Sequence, residues 1–229
     1  MKIWLISDTR TAHERLSIPK DIDTVCFIGG ACSKGSYKTG TSSYEFLLFL
    51  NWFEALDIEH KIVVPGAVDR AVENGNININ GHKKVDFLID SAVIIDGIKF
   101  YGSPFTNYSK INPMRNSFVE NEFGLAEKWN EIPINTDVLL THMPPFGILD
   151  KVAKQDNTLL TESIGSKSLR HKSFKIAPKV HAFGHTLDDL NVLNGGSYKS
   201  PSIGTVYINA SCTIEFGNKL IHNGIIMDI

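Results

Sequence analysis

The chain has 229 residues, of which 42% are hydrophobic and 21% are charged. This composition is typical of a globular protein and excludes a disordered tail protein. The formal net charge is −2, so the sequence gives no support for binding to long nucleic acid, whose affinity comes mainly from phosphate neutralisation. We expect one domain spanning residues 1–229, because nothing rich in Pro, Gly and Ser divides the chain as a linker would.

The cysteines and the lengths of the apolar stretches indicate the cellular compartment of the protein. Cys26, Cys32 and Cys212 form no CxxC pair, and an odd number of cysteines does not make a disulfide framework. The richest apolar stretch, Phe46–Phe53, is far shorter than the roughly 18 residues that a membrane span needs. We therefore expect a cytoplasmic protein that does not associate with membranes.

The first third of the chain alternates short apolar runs with an amphipathic segment. Ile3–Ile6, Thr24–Ile28 and Lys61–Val64 are predicted to be buried strands. Ser42–Leu56 has apolar residues close to helical spacing and is predicted to be a helix. Strand, helix and strand in this order predict an α/β domain with parallel strands.

The rest of the chain indicates a mixed arrangement. Asp96-Gly97 separates two apolar runs, which is a hairpin signal. Glu120–Trp129 is predicted to be a helix, and Leu159–Lys172 could hold a third helix that Gly165 interrupts. Asn194–Ser202 is the best candidate for a mobile surface loop. Further strands are predicted at Asp137–Thr141, His181–Phe183, Thr205–Ile208 and Gly224–Met227. These elements predict a mixed sheet, or two sheets packed together with helices outside.

Short polar turns follow the predicted strands. They are SDTR (Ser7–Arg10), GGACSKG (Gly29–Gly35), PGAVDR (Pro65–Arg70), LLTHMPPFG (Leu139–Gly147) and FGHTLDD (Phe183–Asp189). Ligand sites of open α/β folds gather beyond the carboxyl ends of strands, so these turns could form one site. Their order resembles the calcineurin-like metallophosphoesterases, most closely the metallophosphoesterase-domain-containing subfamily. The segments GSPF, EKWNEIP and YINASCTIEF extend this resemblance along the chain.

The resemblance implies a metallophosphoesterase fold, in which two mixed β-sheets pack as a sandwich with helices on both outer faces. It also implies a site for two divalent metals (Mn, Zn or Fe) that clamp a phosphate and activate a water. Asp8, His142 and His185 match the family's metal ligands. Five of the eight signature positions differ. Arg10 and Leu187 stand at histidine ligands, Gly30 at the bridging aspartate, Ala67 at the asparagine and Val68 at the catalytic histidine.

These differences predict that the chemistry is lost while the fold is kept. Gly30 removes the carboxylate that would hold both ions, and Val68 cannot donate a proton. The vestigial ligands Asp8, His142 and His185 could hold one transition metal weakly at most. We therefore expect no resident metal and no catalytic residue. Because the flanking segments are intact, we expect that restoring the changed residues would recover some metal binding.

Arg10 suggests what replaced the metals. A guanidinium carries a fixed positive charge and several donors suited to phosphate. The loss of a carboxylate at position 30 also removes repulsion, and we expect the backbone N–H groups around Gly29–Ser33 to approach an anion directly. The resemblance also implies that the segment at Asn107, which follows GSPFT, borders the substrate cleft. The predicted ligand-binding residues are Asp8, Arg10, Gly30, Asn107, His142 and His185.

The sequence thus favours a degenerate metallophosphoesterase that binds a nucleotide, cyclic nucleotide or other small phosphate compound without hydrolysing it, as a receptor or a sequestering sponge. Two alternatives stay open. One is a protein-interaction scaffold on the same fold, in which Arg10 pairs only with Asp8. The other is a weak residual metal-dependent phosphodiesterase. The sequence gives no prediction for the ligand's identity or for the oligomeric state.

Overall fold

The computed structural model describes residues 1–33, 39–107, 117–154, 160–189, 192–214 and 219–229. Its helices are α1 (Thr39–Ala55), α2 (Arg70–Glu73), α3 (Glu122–Asn130) and α4 (Lys167–Ile176), and 3-10 turns lie at His13–Arg15 and Ile79–Gly81. The strands in chain order are β1 (Lys2–Ile6), β2 (Thr24–Ile28), β3 (His60–Val64), β4 (Asp86–Phe87), β5 (Ser91–Ile95), β6 (Ile98–Ser103), β7 (Thr106–Asn107), β8 (Val119–Glu120), β9 (Val138–Thr141), β10 (Lys151–Ala153), β11 (Thr161–Ser163), β12 (Val180–Phe183), β13 (Gly196–Lys199), β14 (Val206–Asn209) and β15 (Ile225–Asp228).

Two mixed sheets make up the centre of the described structure. The first has five strands in the order β15-β1-β2-β3-β4, and the second has six in the order β13-β14-β12-β9-β6-β5. Neighbouring strands inside each sheet are parallel, whereas the edge strands β15, β13 and β5 are antiparallel to their neighbours. Small two-stranded sheets form from β7 with β8 and from β10 with β11.

The apolar strands are buried on both faces, which explains why they read as continuous hydrophobic runs. In β1, Ile3 and Leu5 join the core between the two sheets, whereas Trp4 and Ile6 join the core under α1. The outer face of the second sheet is covered by α3 and α4, whose buried residues include Trp129 and Leu169. The sandwich with helices on both outer faces is therefore confirmed.

Several predicted elements are confirmed in detail. Asp96 and Gly97 have φ values of +49° and +78° and join β5 to β6, as a two-residue hairpin turn requires. The predicted helices at Ser42–Leu56 and Glu120–Trp129 are α1 and α3, each displaced by up to three residues. Asn121 caps α3, because its side-chain oxygen accepts a hydrogen bond from the Gly124 N–H.

One prediction is confirmed only in part, and another was wrong. The segment Leu159–Lys172 holds the start of α4, which begins at Lys167 after Gly165 and the cap Ser166, but Thr161–Ser163 forms β11. Residue 159 lies outside the described residues. The predicted loop Asn194–Ser202 contains β13, because Gly196–Lys199 pairs with β14. Among the described helices, none has the length and hydropathy needed to cross a bilayer.

Candidate functional site

The turns after β1, β2, β9 and β12 meet at one end of the two sheets. The Asp8 N–H donates to the Gly29 carbonyl at 2.8 Å, which joins the first two turns. His142 Nδ1 lies 2.8 Å from the Ile28 carbonyl, and the rings of His142 and His185 have centroids 5.1 Å apart. The structure thus brings predicted residues from both sheets together at this end. Because a carbonyl only accepts, His142 Nδ1 donates, and this bond fixes the orientation of the ring.

Asp8 is the centre of a buried hydrogen-bond network. Its Oδ2 accepts from Ser7 Oγ at 2.6 Å, from the His185 backbone N–H at 2.8 Å and from Ser211 Oγ at 3.2 Å. Burial raises the pKa of Asp8, but the charges of His142 and Arg10, together with these hydrogen bonds, outweigh it and leave the pKa below its ordinary value. Asp8 is therefore ionised at neutral pH.

Arg10 is a buried cation with few hydrogen bonds. The residue is 4% exposed, and its Nη2 lies 3.9 Å from Asp8 Oδ1. Its Nε and Nη1 have no hydrogen-bond partner among the described residues. Burial lowers the pKa of Arg10, whereas the carboxylates of Asp8 and Asp69 raise it. Since an arginine keeps its charge in proteins, a positive charge with unsatisfied donors lies near two carboxylates.

Asp69 belongs to the cluster but was not among the predicted site residues, since its place beside Arg70 suggested a local ion pair in a turn, although the resemblance places it near the pocket. Its fully buried carboxylate accepts hydrogen bonds from several backbone N–H groups, at distances of 2.8–3.2 Å. The donors are Gly30, Ala31, Cys32 and Gly66. The carboxylate thus holds the turn after β2 against the turn after β3. The available signal was its position directly after the glycine turn PGAV.

This arrangement corrects the prediction that the amides of Gly29–Ser33 would face an anionic ligand. Asp69 already accepts from Gly30, Ala31 and Cys32, and the Ser33 N–H donates to Glu45 at 2.8 Å. An anion-binding concavity is present, but an internal carboxylate occupies it. A ligand at this site therefore cannot use these four N–H groups without displacing a carboxylate.

Gly30 adopts a conformation that a carboxylate residue would not share easily. Its φ is +81°, and a Cβ atom at this position would lie 2.7 Å from Asp8 Cα. Restoring an aspartate here would strain both turns. The expected recovery of metal binding stays a prediction, and at position 30 it would require the backbone of the turn to shift.

Residues around Asp8 have backbone angles that L-residues rarely adopt. The φ values are +50° at Asp8, +47° at Arg10, +72° at Thr11 and +69° at His185. The loop is held by hydrogen bonds from the Arg10 and Thr11 N–H groups to the carbonyls of Gly30 and Ala31. This left-handed stretch aims Arg10 inward beside Asp8.

The remaining predicted positions lie at the edge of the cluster or in the core. Val68 is half-buried and packs against the core under α1, and Ala67 and Leu187 are buried. The Asn107 side chain donates from Nδ2 to the Ile164 carbonyl at 3.1 Å. Among the described residues, no hydrogen bond or ion pair joins Asn107 to Asp8 or Arg10. Asn107 therefore ties a neighbouring loop and has no described contact with the cluster.

The side chains present do not fit a two-metal centre. Within the described residues, no group of three or more His, Cys, Asp and Glu side chains is arranged to hold a metal ion. Arg10 lies beside Asp8, where the family places a second ligand, and its charge opposes a cation there. A two-metal clamp needs carboxylate and imidazole ligands to converge on both ions, and this set cannot provide them.

Comparison with known proteins supports the resemblance seen in the motifs. No protein-family model matches the chain. It is 28% identical over 228 residues to UPF0046 protein K07C11.7 of Caenorhabditis elegans, covering 92% of this chain and 69% of that protein. It is 33% identical over 135 residues to human Metallophosphoesterase domain-containing protein 1, covering 57% of this chain and 36% of that protein. The resemblance to this subfamily is confirmed.

Solved structures show the same fold. TT1561 of Thermus thermophilus superposes with a TM-score of 0.59 at 13% identity, covering 92% of this chain and 88% of that chain. A further crystal structure gives a TM-score of 0.63 at 14% identity, covering 92% of this chain and 90% of that chain. At such identities the likeness concerns the fold alone.

Proposed function

We propose that this protein binds a small phosphate compound, such as a nucleotide or a cyclic nucleotide, in the former metal cleft without hydrolysing it. The observation that supports this proposal concerns Arg10. Its guanidinium is buried, and its Nε and Nη1 have no hydrogen-bond partner among the described residues. Buried donors are usually satisfied, and each unsatisfied donor costs about 1–3 kcal/mol. An anionic ligand would supply the missing acceptors.

The charge around Arg10 limits what can bind. Asp8 and Asp69 both act on the guanidinium, so a phosphate must approach from the side that the carboxylates leave open. His142 and His185 belong to the same cluster, with ring centroids 5.1 Å apart. In a protonated state these imidazoles would offset the carboxylates. We therefore favour a phosphate held by Arg10 and one or both histidines.

The same residues argue against turnover. Hydrolysis on this fold requires a metal-activated water and a proton donor at the leaving group. Gly30 contributes no carboxylate, and Val68 contributes no proton. The ligand would consequently be released without being hydrolysed, which suits a receptor or a protein that sequesters its ligand.

The first experiment is native mass spectrometry of the freshly purified protein, with metal analysis of the same sample. A co-purified phosphate compound supports the proposal. Two bound divalent metals per chain would contradict it, because they would require ligands that we argue are missing.

The second experiment is calorimetric titration with inorganic phosphate, AMP and 3′,5′-cyclic AMP. Arg10→Ala should weaken a true ligand by roughly 10–150-fold, since a hydrogen bond to a charged group contributes about 1.5–3 kcal/mol. Arg10→Lys should recover part of the affinity, because lysine keeps the charge and loses the planar fork. Arg15→Ala, at an exposed arginine, is the matched control for the loss of charge. Equal affinity in wild type and Arg10→Ala would mean that Arg10 only neutralises the two carboxylates.

A further inference from the structure

A nearly buried lysine lies at the end of the first sheet opposite the Asp8–Arg10 cluster. Lys61 is the second residue of β3, whereas the turn that Asp69 holds follows the other end of that strand. Side chains alternate along a strand, so Lys61 is on the same face as Val63, which belongs to the core under α1. Lys61 is only 7% exposed. Lysines are rarely buried to this extent without a partner for the charge.

The ammonium group of Lys61 has few such partners. Its Nζ donates a hydrogen bond to the Ile58 carbonyl. Among the described residues, Lys61 forms no ion pair with a carboxylate. An ammonium has three N–H donors. The Ile58 carbonyl accepts one of them, which leaves two for water or a ligand.

Lys61 lines a surface cavity of about 520 Å³ beside the carboxyl end of α1. This volume lies in the range of small-molecule sites, roughly 300–1,000 Å³. The other charged residues that line the cavity are Glu54, Asp57, Glu59 and Lys84. A small molecule in the cavity therefore meets an amine that is largely withdrawn from bulk water.

The surroundings of Lys61 favour its uncharged form. Burial lowers the pKa of Lys61, and the charge of Lys84 lowers it further. The carboxylates of Asp57 and Glu54 act in the opposite direction, but the pKa stays below its ordinary value. Glu54 also has another partner, because its Oε1 lies 2.8 Å from His82 Nδ1. Desolvation and a neighbouring cation are the features that make a lysine a nucleophile toward carbonyl compounds.

We propose that Lys61 is a covalent binding site for a small, uncharged hydroxyaldehyde that enters this cavity. After the ammonium has lost a proton to solvent, the Nζ lone pair attacks the carbonyl carbon, and the electrons of the C=O π bond pass to the oxygen. The resulting carbinolamine loses that oxygen as water, which takes both hydrogens of the amine, and a C=N bond remains. The step needs no further reactant, and addition of water reverses it.

Charge selects the class of aldehyde. Once Lys61 has become an uncharged imine, the cavity wall carries Glu54, Asp57 and Glu59 against the single cation Lys84. A carbonyl compound with its own negative charge is therefore repelled. Carboxylates accept hydrogen bonds from hydroxyl groups, so a neutral hydroxyaldehyde fits better than a keto acid. None of these residues belongs to the Asp8–Arg10 cluster, so the proposal does not depend on phosphate binding.

Reductive labelling of the native protein tests this site. Glyceraldehyde with sodium cyanoborohydride at pH 7 converts each imine into a stable secondary amine, and peptide mass spectrometry locates the labelled lysines. Lys61 should be labelled at least about 10-fold faster than the exposed Lys83, because only an uncharged amine attacks a carbonyl. The preference should disappear in urea, where the cavity is lost. Labelling of native Lys61 that is no faster than that of Lys83 would overturn the proposal.

Two comparisons separate the cavity from general amine reactivity. Glyoxylate, an aldehyde with a carboxylate, should show a preference for Lys61 over Lys83 at least about threefold smaller than that of glyceraldehyde. Lys84→Gln should slow the labelling of Lys61 at least about threefold, because a neighbouring positive charge is removed. Lys83→Gln, one residue away, is the matched control and should leave that rate unchanged. An equal preference with both aldehydes, or an unchanged rate in Lys84→Gln, would contradict the assignment.

Discussion

At the scale of single residues, Arg10 and Asp8 form an unusual buried pair. Their closest atoms are 3.9 Å apart, which is the limit for an ion pair, yet both side chains are at least 95% buried. Removing one member of a buried pair is far more costly than the pair is stabilising, because an uncompensated charge remains. The two carboxylates near Arg10 therefore make the arginine important for folding, whether or not a ligand binds.

Arg10→Ala should lower the free energy of unfolding by several kcal/mol in the absence of ligand, about 3–5 kcal/mol by comparison with other buried pairs. Asp8→Asn in the same chain should restore much of the loss. An asparagine is neutral and can still accept hydrogen bonds from Ser7 and the His185 N–H through its oxygen. Urea unfolding of wild type, the single variant and the double variant measures both effects.

A small loss in Arg10→Ala, within about 0.5 kcal/mol as for a surface residue, would show that Asp8 is already compensated by its hydrogen bonds. An equally unstable double variant would instead locate the unpaired charge at Asp69. Either result would show that Arg10 does not stabilise the fold by neutralising Asp8.

The sequence allowed the cluster to be predicted only in part. Asp8, Arg10, His142 and His185 follow strand ends, and parallel strands bring such ends together, so their meeting could be foreseen. Asp69 could not be assigned its role, because the donors that it binds are backbone groups that carry no sequence signature. The orientation of Asn107 depends on a contact with Ile164, more than fifty residues away in the chain.

At the scale of secondary-structure elements, Asp69 acts as a clamp between two turns. Asp69→Ala should cost at least about 3 kcal/mol, because four buried N–H groups lose their acceptor together. Asp69→Asn should cost less, since its single oxygen can still serve some of these donors. Thermal and urea unfolding measure the losses. Asp86→Ala, at an exposed aspartate, is the control and should change stability by less than about 0.5 kcal/mol.

The junction of β9, β12 and α4 contains a histidine that stays neutral. His181 Nε2 lies 2.8 Å from Thr141 Oγ1, and its Nδ1 lies 3.0 Å from Ser173 Oγ. Burial lowers the pKa of His181 to about 3. His181 binds a proton near pH 6.5 in the unfolded chain, whereas in the folded chain it stays neutral at that pH. The stability that this neutral state provides is therefore complete above pH 6.5 and is lost as the pH falls toward 3.

His181→Gln should remove this dependence on pH. Between pH 6 and pH 4 the wild type should lose up to about 1.4 kcal/mol of stability per pH unit more than the variant does. Urea unfolding at several pH values measures the difference, and His171→Gln at an exposed histidine is the control. Parallel curves for wild type and His181→Gln would mean that His181 is protonated in the folded protein.

Element prediction succeeded where a local signal existed and failed where pairing came from a distance. Asp96-Gly97 predicts its hairpin because the turn itself requires positive φ. Gly196–Lys199 has the composition of a loop, and it becomes a strand only because β14 offers a free edge. Asn76–Asn80 alternates polar and apolar residues as a strand would, yet Ile79–Gly81 forms a 3-10 turn.

At the scale of the whole molecule, a metallophosphoesterase fold is combined with a donor set that does not suit its usual ions. We expect no turnover of bis-p-nitrophenyl phosphate or of 2′,3′- and 3′,5′-cyclic nucleotides above background with Mn²⁺, Mg²⁺ or Zn²⁺. The reasons are the missing carboxylate at Gly30 and the apolar Val68. A colorimetric assay with each metal tests this. Activity that rises with Mn²⁺ and disappears in His142→Ala would establish a residual hydrolase.

The left-handed loop at Asp8, Arg10 and Thr11 is held in a conformation that its own residues do not favour. A non-glycine residue in this region costs about 1 kcal/mol or more, and glycine would relieve it. None of the three positions is a glycine, although their φ values are +50°, +47° and +72°. Local preference therefore does not determine the shape of this loop. Its surroundings impose that shape, including the hydrogen bonds from the Arg10 and Thr11 N–H groups to the turn after β2.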